Sequence, residues 1–326
     1  MNFNSREVPE TRHSLANIQR CTSSAAFGEV FSPNADHKTQ MRVSYVSNTG
    51  GSIKTDTDDY NFSFGAITLT PGSVVKRFNS NKIELARADE FGVITDFNLN
   101  IKNSAPNPKF YMIMYTFSFL VNSNVSFQTR MKLNGTVEKS TASYLGPVAE
   151  IGVHNGKVFA LPSGDNKVEL EYKYNGESIS IADTTNNKFV QSMYAFEFPE
   201  GTVVHTFKLE KPLTLNTNGD WRPMGIDAKF NLGKKKTALI IYHINIVTKQ
   251  KLFKARVRMN NKFNKKSVIL TEGLDYSYAQ AYVVKVLKAG SYTLDLEYNS
   301  LAPNTFTAEL AEVNNESVFV QVVLMD

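Results

Sequence analysis

The sequence has little cysteine and no long apolar run, and each absence excludes a class of protein. The single cysteine, Cys21, cannot form a disulfide within the chain, which excludes a small disulfide-stapled domain. No run of about 18 apolar residues occurs, so we expect no membrane-spanning helix. The opening residues lack the apolar core of a secretory signal. We therefore expect the protein inside the cell or within an assembled particle.

Motifs of enzymes and cofactor-binding proteins are also missing. The sequence has no G-x-S-x-G elbow, no G-x-x-x-x-G-K-[ST] loop and no dinucleotide-binding fingerprint. Its five histidines show no metal-ligand spacing. His243 lies within the apolar run "LIIYHINIV", where a buried histidine with its hydrogen bonds satisfied is the expected state. We therefore predict a protein that is not an enzyme and has no catalytic, cofactor-binding or metal-binding residues.

What the sequence does contain is a repeat. The segment "FKARVRMNN" (253–261) follows "FQTRMKLNG" (127–135) at an offset of 126 residues. At the same offset, "VLKAGSYTLDLEY" (286–298) follows "ALPSGDNKVELEY" (160–172). Two further matches lie upstream in the same order: 92–99 with 225–232, and 71–78 with 200–207. Four matches in one order indicate a duplicated unit.

The repeats divide the chain into an N-terminal arm of residues 1–65, a first domain of 66–198 and a second of 199–326. The arm is rich in Ser, Thr and Asn and has no counterpart before the second copy. We expect it to be partly irregular, either as a flexible tail or as a segment ordered by a neighbouring subunit.

Both copies have the two-residue period of β-strands. Apolar residues of 253–259 alternate with cations, which is typical of a strand with one face in a core. Three runs, 110–121, 237–247 and 317–325, are apolar almost throughout and indicate central strands covered on both faces. The best helix candidate is short, at 81–91. We predict an all-β protein of two tandem jelly-roll β-sandwich domains with an irregular N-terminal arm.

Several segments of each copy resemble the globular head of the complement and tumour necrosis factor superfamily. They are an early strand ending in Phe78 or Phe207, an F-x-x-R-h-x-h-N strand (h, hydrophobic), the glycine-containing segments 158–172 and 284–298, and the closing apolar strand 317–325. The resemblance implies a jelly roll in each copy and pseudo-trimeric packing of subunits. The chain departs from the family in carrying two domains and no export signal.

Positive charge is concentrated in residues 199–267, where 15 Lys and Arg stand against 4 Asp and Glu, a net charge of +11. Such a patch is typical of a site for an anionic partner, such as nucleic acid, a phosphorylated glycan or an acidic protein. The alternative is a charged face that protects a strand edge from misassociation. The residues of the patch are Lys234, Lys235, Lys236, Lys254, Arg256, Arg258, Lys265 and Lys266.

Two other features suggest binding or chemistry. Trp221, the only tryptophan, lies in "NGDWRPMG" and is either a ligand-stacking loop residue or part of a core. The acidic pairs Glu169/Glu171 and Asp295/Glu297 have the spacing of two carboxylates on one strand face. A glycosidase would use paired carboxylates, but their recurrence in both copies favours a solvent-facing strand surface.

We therefore predict a non-enzymatic structural protein, a tandem jelly-roll building block of a shell, capsid or scaffold. It would act through protein–protein surfaces in a homo- or hetero-oligomer, because rigid sandwiches offer large flat faces. One alternative is a carbohydrate- or ligand-recognition module of the lectin-like kind. Another is a hydrolase with catalytic residues far apart in the sequence.

Overall fold

A computed structural model describes the chain in segments. The described residues are 2–3, 6–7, 41–42, 72–78, 84–121, 127–145, 150–181, 191–209, 214–217, 220–247, 253–264, 267–271, 276–300, 306–309 and 318–326. Most of the arm, together with Lys265 and Lys266, lies outside them. Within this part of the chain no helix has the length and apolar character needed to cross a membrane.

The described part of the arm forms a small antiparallel sheet in the order β2-β1-β3. Its three strands are β1 (Asn2–Phe3), β2 (Arg6–Glu7) and β3 (Met41–Arg42).

The first sandwich consists of eight strands in two antiparallel sheets. They are β4 (Val74–Phe78), β5 (Glu84–Asn103), β6 (Lys109–Val121), β7 (Phe127–Leu133), β8 (Thr136–Leu145), β9 (Glu150–Leu161), β10 (Gly164–Ile181) and β11 (Gln191–Glu197). The order β4-β11-β6-β9 forms what we name the first interface sheet, and β5-β10-β7-β8 forms the first outer sheet. At one corner the end of β10 also pairs with the end of β6. This strand order is that of a jelly roll.

The second sandwich has the same arrangement, but it is divided into more strands, several of them short. Its strands are β12 (Val203–Lys208), β13 (Thr214–Thr217), β14 (Arg222–Pro223), β15 (Ala228–Leu232), β16 (Lys236–Val247), β17 (Phe253–Met259), β18 (Lys262–Phe263), β19 (Ile269–Thr271), β20 (Tyr276–Leu287), β21 (Gly290–Ser300), β22 (Phe306–Glu309) and β23 (Val318–Met325). The second interface sheet has the order β12-β23-β16-β20. In the second outer sheet β21 lies between β14 and β15 on one side and β17 on the other, and β17 also pairs with β18 and β19. Strands β13 and β22 form a separate pair.

The prediction of two tandem jelly-roll sandwiches is therefore confirmed. The helix candidate at 81–91 is wrong, because Glu84–Phe91 opens the long strand β5. There it pairs with β10 through several register shifts. Pairing along a sheet edge satisfies its backbone, and this outweighs the local helix preference of "ELARADE".

The two copies match down to single hydrogen bonds. Asn134 and Asn260 both have positive φ, at 49° and 46°. In the first copy the Lys167 N–H donates to Asn134 Oδ1 at 2.8 Å, and in the second the Thr293 N–H donates to Asn260 Oδ1 at 2.8 Å. Asparagine tolerates the left-handed conformation, and its side chain can extend a hydrogen-bond ladder across a turn.

Each sandwich has its own apolar core between its two sheets. Representative residues of the first are Phe97, Tyr115 and Leu170, and of the second Tyr242, Val257 and Leu296. A third buried cluster lies between the two sandwiches and joins their interface sheets.

Candidate functional site

An extensive buried contact among the described residues joins the two interface sheets. Where the structure describes the side chains, the apolar runs are covered on both faces, as the sequence indicates: residues 111–116 of β6, 238–245 of β16 and 318–325 of β23. One face of each lies in its own sandwich and the other packs against the opposite sandwich. The shared cluster comprises Met112, Met114, Val158, Tyr194, Phe196 and Phe198 from the first sandwich, and Leu239, Ile241, Phe319, Val323 and Met325 from the second.

Two glutamines of the second sandwich bond to the backbone of β9, the last strand of the first interface sheet. Gln321 accepts from the Val158 N–H at 2.8 Å and donates to the Val158 carbonyl at 2.9 Å. Gln280 accepts from the Gly156 N–H at 3.0 Å and donates to the Gly156 carbonyl. Each side-chain amide thus offers the donor and acceptor that a neighbouring strand would provide. The free edge of β9 is closed by the other domain.

Glycine at position 156 is required by this contact. A Cβ built there would lie 2.6 Å from Met114 Cγ and 3.0 Å from the Tyr282 hydroxyl. The Tyr282 hydroxyl in turn donates to Gln280 Oε1 at 2.7 Å. The close approach of the two sheets therefore depends on the missing side chain.

A buried histidine lies at one end of the interface. His243 on β16 stacks on Phe319, with ring centroids 5.6 Å apart. Its Nε2 lies 3.0 Å from the carbonyl of Ala142 on β8, so Nε2 carries the hydrogen and donates. The same carbonyl accepts from Asn245 Nδ2 at 2.6 Å. The expectation that His243 is buried is confirmed, and its Nε2 is hydrogen-bonded.

Burial lowers the pKa of His243 from 6.5 to about 4. The bond to the Ala142 carbonyl acts in the opposite direction, and the nearby Lys157 ammonium lowers the pKa further. Lys157 is itself buried on β9, where it donates to Ser140 Oγ at 2.5 Å and lies 3.5 Å from Glu138 Oε2. The imidazole is therefore neutral near pH 7.

The predicted basic patch is divided between two places in the second sandwich. Lys234 and Lys236 both contact the carboxylate of Asp326, at 2.7 and 2.8 Å. These two ammonium groups lower the pKa of Asp326 to about 2. Lys235 is exposed. The carboxylate that pairs with these lysines lies far away in the sequence, outside the segment whose local charge is +11.

The cations of β17 face acidic residues of β21. Arg256 Nε donates to Glu297 Oε2 at 2.7 Å, and Arg258 Nε lies 3.3 Å from Glu297 Oε1. Arg258 also lies 3.7 Å from Asp295 Oδ2, and Lys254 is buried. Opposite charges across two paired strands relieve the repulsion between cations on one face.

Trp221 contacts the same arginine. The Arg256 guanidinium lies 3.9 Å from the Trp221 ring centroid and 4.1 Å from that of Phe263. Trp221 is half-buried and Phe263 is exposed. One face of the indole is therefore occupied by a cation–π contact within the fold.

The acidic pairs are not the solvent-facing surface that their pattern suggested. Glu171 and Glu297 are each only 5% exposed, and each accepts from the Nε of an arginine at 2.7 Å. The arginine is Arg130 in the first copy and Arg256 in the second, again 126 residues apart. A carboxylate paired with a guanidinium can be buried where a lone one cannot, which explains the difference.

The interface glutamines were missed by the sequence analysis. The available signal was a polar residue inside an otherwise apolar run, as Gln321 is in "VFVQVVLM". A buried amide must find partners, so such a position marks a specific contact.

No family model matches the chain, and no curated protein matches it. Among solved structures, the tandem CBM22-1–CBM22-2 domain of Paenibacillus barcinonensis Xyn10C is 10% identical, over 79% of this chain and 92% of its own, with a TM-score of 0.24. The stem and receptor-binding domain of the spike protein P1 of bacteriophage PM2 is 8% identical, over 80% and 99%, with a TM-score of 0.17. A structure of infectious bursal disease virus Gt strain is 10% identical, over 81% and 79%, with a TM-score of 0.23. TM-scores this low do not establish a shared fold. The jelly-roll assignment therefore rests on the strand order of this chain.

Proposed function

We propose that this protein is a non-enzymatic structural subunit, a tandem jelly-roll building block of a larger assembly such as a shell, capsid or scaffold. The observation that carries the proposal is the interface between the sandwiches. An apolar cluster and paired amide–backbone bonds join two separate cores into one block. A subunit of an assembly needs such a fixed relation between its outer surfaces, because its neighbours must meet them in one geometry.

The charge distribution supports the same role. The arginines of β17 are paired within the fold by Glu297 and Asp295, so they stabilise the second outer sheet. Exposed Lys235 and Lys262 remain on the surface as groups that an acidic region of a neighbouring subunit could contact. The sequence motifs that resemble the complement and tumour necrosis factor jelly rolls also favour this role, because the subunits of that superfamily pack together.

The experiment is to purify the full chain and measure its mass by analytical ultracentrifugation across a wide concentration range. Electron microscopy of the native source material would then locate it. We expect discrete oligomers or incorporation into a particle. A strict monomer at every concentration, absent from any particle, would overturn the proposal.

One observation favours recognition of a ligand as a second candidate function. Phe263 is 46% exposed beside the Trp221–Arg256 pair, which places an aromatic ring at the surface next to a largely buried guanidinium. Aromatic faces stack on sugar rings. Glycan-array binding that is lost in Phe263→Ala, in a variant that still folds, would favour this candidate. Binding unchanged by the substitution, or absent in the wild type, would count against it.

A further inference from the structure

Strand β20 carries an uncovered apolar strip at the edge of the second interface sheet. Among the described strands it pairs only with β16. Its residues Val284 and Val286 are 39% and 57% exposed. Lys285 lies between them but belongs to the opposite face of the strand, so the strip carries no charge of its own.

At Val284 and Val286 the backbone N–H and C=O groups of β20 also point away from the sheet. The Leu209 N–H donates to the Val318 carbonyl, so the even-numbered residues of β23 bond to β12 and the odd-numbered ones bond to β16. Leu239 of β16 is opposite an odd-numbered residue and therefore bonds to β23. Val284 is opposite Leu239 on the other side, so its N–H and C=O point away from β16. The two-residue period gives Val286 the same direction.

The first sandwich shows what such an edge contacts. Val158 of β9 occupies the position of Val284, 126 residues earlier, and it is only 4% exposed. Its side chain lies in the shared apolar cluster, and its N–H and C=O bond to Gln321. The same strand position is thus covered by a jelly-roll sheet in one copy and uncovered in the other.

We propose that a second copy of this chain covers the β20 edge and the Val284–Val286 strip. The inference rests on the proposed assembly function and names the surface and the partner. The strip is continuous with the interface between the sandwiches, because Tyr282 of the same strand packs against the shared cluster.

The test uses the full chain in analytical ultracentrifugation. The variant Val284→Asp/Val286→Asp places two charges on the strip, and Val93→Asp is the matched control because Val93 is a 40% exposed strand valine of the first sandwich. We expect the double variant to raise the apparent dissociation constant of the oligomer at least about 100-fold and the control to leave it unchanged. Near-ultraviolet circular dichroism checks that both variants fold.

The outcomes separate the two proposals. If the wild type assembles and the double variant assembles equally well, the β20 interface is overturned while the assembly function stands. If the wild type is a monomer throughout, the β20 interface is overturned, and the assembly function is overturned as well when the chain is also absent from any particle. Hydrogen exchange provides a second measurement without substitution: the amides of residues 284 and 286 should become protected as concentration rises. Rapid exchange at those amides in the intact oligomer would also overturn the interface.

Discussion

Gln321 and Val158 form two hydrogen bonds between one side-chain amide and one backbone position, at 2.8 and 2.9 Å. A pairing strand would satisfy Val158 with the same two groups. The second sandwich therefore protects the edge of the first sheet without adding a strand to it. Exposed strand edges invite unwanted pairing, so this contact stabilises the chain and also guards its surface.

Replacing Gln321 with leucine should lower the free energy of unfolding by about 2–4 kcal/mol, since the N–H and C=O of buried Val158 would both lose their partner. Urea denaturation measures the change. Gln128→Leu on half-buried β7 is the control and should stay within about 0.5 kcal/mol of the wild type. Equal effects of the two substitutions would contradict the importance of the amide pair.

Gly156→Ala should destabilise the chain by about 1–3 kcal/mol, because the added carbon would lie 2.6 Å from Met114 Cγ in a packed interface. The matched control is Gly233→Ala, where a Cβ meets nothing within 4 Å. Thermal unfolding followed by circular dichroism compares the two. A melting temperature for Gly156→Ala as high as that of the control would show that the interface relaxes freely.

Stability should fall with acid partly because of His243. Its pKa is lowered in the folded state, to about 4 from 6.5, mainly by burial. Above pH 6.5 both states hold a neutral imidazole. As pH falls from 6.5 to 4 the unfolded state takes up a proton that the folded state does not, which costs up to about 3 kcal/mol.

The comparison for this effect is His243→Phe, which keeps an aromatic ring for Phe319 and leaves the Ala142 carbonyl bonded to Asn245. Unfolding free energies at pH 7 and pH 4.5 should differ less in this variant than in the wild type. Parallel pH profiles for the two proteins would mean that another group controls the acid response.

Trp221 and Arg256 should show an energetic coupling of about 1 kcal/mol. A double-mutant cycle with Trp221→Leu and Arg256→Lys measures it, because lysine keeps the charge and loses the planar stack. The equivalent contact of Arg130 over Phe91, at 3.6 Å, offers the same cycle in the first sandwich. A coupling near zero between Trp221 and Arg256 would contradict a stabilising role for this contact.

The fold was predictable because its signals are local and repeated. Alternation in segments such as 253–259, the apolar runs and the shared offset of 126 each predict strands or their duplication. The strand at Glu84–Phe91 was not predictable, since its helix-like composition is overridden by pairing with a distant part of the chain.

The interaction surfaces were less predictable from the sequence, because the residues that contact each other there lie far apart in the chain. Arg256 finds its carboxylate 41 residues later, and Lys234 finds Asp326 beyond any local window. A count of charges along the sequence reports both arginines of β17 as a patch, although the adjacent strand pairs them. The interface glutamines depend on contacts across 124 and 163 residues.

Gly156 and Tyr282 occupy the same place in the two copies, since they lie 126 residues apart and pair with Met114 and Ile241 on equivalent strands. The larger residue of one copy fits where the other has no side chain. Once the copies were joined in this way they ceased to be interchangeable: exchanging the two residues would place the tyrosine where it has no room. The two halves are therefore no longer equivalent: the first supplies the glycine that leaves room at the interface, and the second supplies the tyrosine that occupies this room.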